Sequence, residues 1–130
     1  MAQGLLPFRY VEEKKTGATA LAGLPVYLEL AQVIGVSKSV QKHLKVREGG
    51  QGWTDSQMII SLMLLNLAGG DCVDDLKVLE KDDGFCQVLR KVETHGLKRK
   101  IRRALERRWR KEKRRTVVSP SAVFRYLAAF

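Results

Sequence analysis

Twelve lysine and arginine side chains stand between Leu97 and Arg115, opposed only by Glu106 and Glu112, a local net charge of +10. The rest of the 130-residue chain carries twelve Lys/Arg and twelve Asp/Glu, so the whole formal excess of +10 sits in one segment. Eight of the twelve are arginines, whose planar guanidinium fork matches phosphate oxygens and the guanine edge. Leu97, Ile101, Leu105 and Trp109 recur every four residues, which predicts a helix with one narrow apolar stripe and basic residues on its other faces. A merely solvated, salt-laced helix needs alternating signs, and two glutamates do not supply them. A polyanion is the partner such a stripe fits. Arg102, Arg103, Arg107, Arg110, Lys111 and Arg114 are the expected contacts to it, Arg103, Arg107 and Arg110 to phosphate. An acidic membrane surface or acidic protein is the competing reading, and the charge itself favours neither DNA nor RNA.

A second candidate site follows at TVVSPSAVFRYLAAF (116–130). Ser119 is a ready N-cap and Pro120 a favoured first-turn residue. The free amides there, with Ser121 and Arg125, could meet phosphate or base edges. Val123, Leu127 and Phe130 are expected to face the core, and the competing reading is an ordinary core helix whose cap serves only folding. Asp71, Asp74 and Asp75 could hold a divalent cation, but they follow Gly69-Gly70 at a predicted helix start. Acids are favoured there by the helix dipole, so capping is their expected role. No Ser/His/Asp or Cys/His constellation is readable, and the glycine-rich stretch at 49–52 lacks the Gly-Lys-Ser/Thr of a phosphate loop. Catalytic residues, metal ligands and a small-molecule substrate are therefore not expected. Cys72 and Cys86 are too few for a disulfide framework and read as reduced thiols.

The elements that must position these residues are helical. Apolar spacing over Ala20–Ile34 predicts a helix beginning near Leu24, with Pro25 in its first turn and Gly35 as its stop. Ser37 is expected to cap a short second helix through Leu44. After the turn-rich 47–52, Thr54 and Gln57 form a capping-box signature, and Trp53 is placed to staple onto Met58. The helix they open, Asp55–Ala68, is apolar on nearly every face and should be central. Asp71 is expected to cap a helix carrying Val73, Leu76 and Leu79. A break at Asp82–Gly84 then precedes a short helix with Phe85, Val88, Leu89 and Val92 inside. The expected fold is all-α. A short extended arm (1–19) leads into a multi-helix bundle core (20–95), and a basic helix plus SPS-capped helix (96–130) forms a helix-turn-helix-like C-terminal part. Met1–Lys15 has no long apolar run or cleavage signal, and the apolar stretch Met58–Ala68 is too short to span a bilayer. A cytoplasmic, nucleoid-associated location with no membrane partner is the expectation.

Three stretches resemble one family, the group 1 DDE transposases of bacterial insertion sequences. They are AGLPVYLELAQVIGV (22–36), GWTDSQMIISLMLLNLAGGDCVDDLKVLEKDDGF (52–85) and SPSAVFRYLAAF (119–130). They cover about half the chain, in the order found in the N-terminal region of such proteins. The resemblance implies a helical DNA-binding domain that recognises terminal inverted repeats in double-stranded DNA. An RNase H-like core, with a DDE triad and two Mg²⁺, would follow it. Asp71, Asp74 and Asp75 belong to the N-terminal motif and do not match that triad, so the resemblance implies a chain without the catalytic domain and without a cofactor of its own. A multimerisation or synapsis module with only non-specific nucleic-acid binding is the alternative. Two transposon ends must be held together, and a homodimer using Trp53, Trp109 or Phe130 would serve.

Overall fold

The computed structural model describes residues 21–48, 52–108 and 115–130, by backbone alone at 104–108. Among them lie seven α-helices, one 3₁₀ turn and no strand, so the fold is all-α. The helices are α1 (Leu24–Ile34), α2 (Val36–His43), α3 (Asp55–Leu67), α4 (Leu76–Lys81), α5 (Asp83–Thr94), α6 (Arg99–Arg108) and α7 (Pro120–Leu127). The 3₁₀ turn Val73–Asp75 runs directly into α4. The arm expected at 1–19 lies outside the described residues.

Local chemistry accounts for most of the boundaries. Pro25 sits in the first turn of α1, and Gly35 ends it in the left-handed conformation with φ 73°. That residue also starts α2, so the helix begins at Val36 with no side-chain cap, and Ser37 does not cap it. The capping box of α3 is present: Thr54 Oγ1 accepts from the Gln57 amide at 3.2 Å, and Gln57 Oε1 accepts from the Thr54 amide at 2.9 Å. Asp75, not Asp71, closes the turn after the glycine pair. Its carboxylate accepts from the amides of Asp71 at 2.8 Å and Cys72 at 3.1 Å. Those bonds, Cys72 first, hold its pKa below the usual carboxylate value. Asp82 alone makes the break before α5, accepting from the Phe85 amide at 2.9 Å, and Asp83 and Gly84 belong to that helix.

The core draws on α1, α3, α4, α5 and α7: Leu24 and Leu28 of α1, Met58, Leu64 and Leu65 of α3, Leu76 and Leu79 of α4, Phe85 and Leu89 of α5, and Val123 of α7, whereas α2 has no buried residue. Helix α3 packs on α2 and α4, α1 packs on α2 and α5, and α4 packs on α5. Helix α3 is less enclosed than its composition suggests, for Met63 and Leu67 are exposed.

Candidate nucleic-acid interface

The segment before α7 is the anchor of the site. Thr116, Val117 and Val118 carry no regular secondary structure, yet all three are buried. Their backbone amides need partners, and one carboxylate supplies two of them. Glu80 at the end of α4 accepts from the Thr116 amide at 2.9 Å and the Val117 amide at 2.7 Å. Arg90 of α5 donates from Nε to Thr116 Oγ1 at 2.7 Å. A buried extended segment is thereby clamped between α4 and α5, which determines where α7 begins.

Ser119 then caps α7, its hydroxyl accepting from the Ala122 amide at 3.3 Å. The Ser119 and Ser121 hydroxyls lie 3.3 Å apart. Ala122, Val123 and Tyr126 face the core, whereas Leu127 and Phe130 are 48% and 76% exposed. The inward face is therefore turned relative to the Val123–Leu127–Phe130 expectation, and the helix stops at Leu127. Tyr126 takes the inward place one residue before Leu127, and its ring meets Phe130 edge-on at 5.6 Å. Ser121 and Arg125 share the exposed face, with Arg125 Nε donating to the Ser121 carbonyl at 3.4 Å.

A residue that the sequence did not single out joins them. Arg47, in the loop after α2, lies across a cleft of about 390 Å³ from α7. Gly52, Trp53, Ser119, Ala122, Arg125 and Tyr126 complete the lining. Asp55 in the first turn of α3 positions the loop, its Oδ2 accepting from the Val46 amide at 3.3 Å. Arg47 Nη1 donates to the Trp53 carbonyl at 3.0 Å. Gly52 has φ 83°, and a Cβ there would stand 3.2 Å from the guanidinium of Arg47. The positive φ is what favours glycine there. Tyr126 is 3% exposed. Burial, then the Asp55 carboxyl beside it, push its hydroxyl up to about 12, so it stays neutral across the physiological range. An arginine next to a glycine-rich loop is too common a pattern to mark Arg47 as part of this site.

The stretch around the start of α6 presents the charge. Lys98, Arg99, Lys100, Arg102 and Arg103 are all exposed, and the apolar position Ile101 is itself 49% exposed. Arg107 belongs to α6, but its side chain is outside the described set. Arg110, Lys111, Arg114 and Trp109 lie outside the described residues. The expected site residues thus divide into two groups. Arg102 and Arg103 stand on an exposed basic helix, while Ser119, Ser121 and Arg125 stand at α7, where Arg47 joins them. The two helices are not joined by a tight turn, since Arg115–Ser119 intervenes as the clamped segment. No family model, curated protein or solved structure matches this chain.

Proposed function

We propose that this chain is the DNA-binding N-terminal domain of an insertion-sequence transposase, engaging the terminal inverted repeats of its element. The convergence of Arg47, Arg125 and the Ser119 cap on one cleft beside α7, in a chain that exposes five basic positions around Ile101, carries the reading. Backbone phosphates supply the complementary charge, and phosphate contacts set register while groove contacts set sequence. The resemblance to group 1 DDE transposases supports DNA as the polyanion. Two of the stretches that carry it also meet in the fold, since the Val73–Asp75 turn packs against α7. In this reading α6 supplies electrostatic grip and α7 reads. In the same reading strand cleavage and its Mg²⁺ belong to the RNase H-like core of that family and not to this domain.

The test is a salt-series titration against duplex carrying the element's terminal repeat and against scrambled duplex of equal length. Binding of the repeat that is ~10³-fold tighter at physiological salt is the expected result. Equal affinities with a steep salt slope would reduce α6 to a non-specific clamp. Absence of salt-dependent binding would overturn the reading.

One observation favours the multimerisation alternative as a second activity of the same domain. Val26, Tyr27, Leu30, Val33 and Ile34 of α1, with Met63 and Leu67 of α3, leave a contiguous apolar surface exposed. Glu29 is the sole charged residue of α1, so a second copy of the chain meets little like-charge repulsion across that helix. Patches of several hundred Å² on a monomer mark interaction sites. This face replaces Trp53, which packs partly against the core, as the apolar dimer candidate. Trp109 lies outside the described residues.

A further inference from the structure

The cleft between Arg47 and α7 is larger than backbone contact to a duplex requires. We propose that it receives one unstacked nucleotide of the bound DNA, with the phosphate held between Arg47 and Arg125 and the base against Trp53. The inference rests on the DNA-binding reading and specifies what one part of that surface takes.

Charge supplies the first reason. Two guanidinium groups, from positions far apart in the chain, line one cleft with no carboxylate among its described lining residues. Each spends one donor on a backbone carbonyl, Arg47 on Trp53 at 3.0 Å and Arg125 on Ser121 at 3.4 Å. An arginine has five donors, so both retain N–H groups for an anion. Among the described residues neither forms an ion pair, and the one ion pair present joins Lys77 and Asp74. Like charges facing one cleft are relieved by an anion between them.

Size and lining supply the second. The cleft of about 390 Å³ falls within the ~300–1,000 Å³ of cavities that enclose small organic ligands. An isolated phosphate fills only a small part of that space, and a sugar and base account for the remainder. Trp53, half-buried, presents aromatic surface of the kind on which unpaired bases stack irrespective of sequence, while the buried Ala122 and Tyr126 close the cleft behind it. A base inside an intact duplex is stacked and cannot enter such a recess, so the nucleotide must be unpaired or extruded. Gly52 holds its backbone at a φ of 83° beside the Arg47 guanidinium, a conformation that favours glycine.

The experiment uses the full chain and four DNA ligands of one sequence: fully paired duplex, the same duplex with one unpaired nucleotide, the same with an abasic unit at that position, and single strand. The unpaired nucleotide should tighten binding about tenfold over the paired duplex, and the abasic unit should forfeit most of that gain. Arg125→Ala, on the exposed face of α7, should abolish the preference. Trp53→Ala should do so as well, with helicity by circular dichroism reporting whether that variant folds. In a parallel titration by amide and indole NMR, deoxyadenosine monophosphate should shift resonances of Trp53 and Gly52 more than inorganic phosphate or deoxyadenosine does at equal concentration. Equal affinity for paired, unpaired and abasic ligands, or an Arg125→Ala chain that keeps the preference, would overturn the cleft proposal and leave DNA binding intact. Failure to bind any of the four ligands would overturn the DNA reading itself.

Discussion

At the scale of single residues, two glutamates with opposite circumstances decide how the core tolerates charge. Glu80 is fully used, its two oxygens accepting from the amides of Thr116 and Val117. Replacing it with alanine strands two buried donors, each costing about 1–3 kcal/mol. We expect Glu80→Ala to lower stability by about 2–4 kcal/mol, read as a fall in denaturation midpoint, and to loosen α7. An unchanged midpoint would remove the clamp from the account. Glu93 on α5 is the contrary case. Its Oε2 is buried without a partner. Burial pushes its pKa up to about 7, against the opposing pull of Gln57 and Arg90. A carboxyl with a raised folded pKa holds its proton more tightly in the native state, so native protein binds more protons than unfolded chain between about pH 4.5 and 7. Stability should therefore fall as pH rises through that window and level off above it. Glu93→Gln keeps the shape without the ionisation. It should be the more stable protein at pH 8 by about 1–3 kcal/mol, with little difference near pH 4. Parallel pH profiles for the two proteins would refute this. Neither role is readable from the sequence. Glu80 and Glu93 look like any helix-surface glutamates, and what distinguishes them is the position of a segment 36 residues away in one case and burial in the other.

At the scale of elements, the boundaries written in local chemistry are legible in the sequence and those set by tertiary contact are not. The Thr54–Gln57 capping box, Pro25 at the start of α1, Gly35 at its end and the Ser119 cap all involve partners within four residues. The face of α7 is not readable in the same way. Val123, Leu127 and Phe130 make as good an apolar stripe as Ala122, Val123 and Tyr126, and the choice falls to how the Thr116–Val118 clamp rotates the helix against the Val73–Asp75 turn. The Gly69-Gly70 pair between α3 and the 3₁₀ turn reads in sequence only as a stop, but its two members differ. Gly69 needs its φ of 80° with open space around it, whereas Gly70 lies so close to the Leu65 side chain that any Cβ would collide with it. Gly69→Ala should cost about 1 kcal/mol for the left-handed backbone. Gly70→Ala should cost more, because Leu65 is core and the Gly70 amide also bonds the Leu65 carbonyl at 2.9 Å. Denaturation midpoints of the two single variants give the comparison, and equal losses would mean that Leu65 gives way easily.

For the whole molecule, apolar burial and charge are kept apart. The chain outside 97–115 is neutral in sum, and the entire excess of +10 lies within that segment. Lys98 to Lys100, Arg102 and Arg103 are exposed, and none contributes to the core. Grip on a polyanion and stability of the fold should then be separable, as they would not be were the arginines buried. Substituting glutamine at these five positions should leave thermal stability unchanged or slightly raised, since like charges repel one another along the helix. The same substitution should flatten the dependence of log affinity on log salt by about 0.9 for each phosphate no longer neutralised. Sequence preference among duplexes should persist in the weakened protein, because α7 and Arg47 remain in place. The α1 face offers an independent check on assembly: Leu30→Glu should convert a concentration-dependent mass in sedimentation to that of a monomer without altering the salt slope. A five-glutamine variant that keeps the full slope would move the electrostatic grip away from α6, and a variant that loses sequence preference together with affinity would show that α6 reads as well as grips.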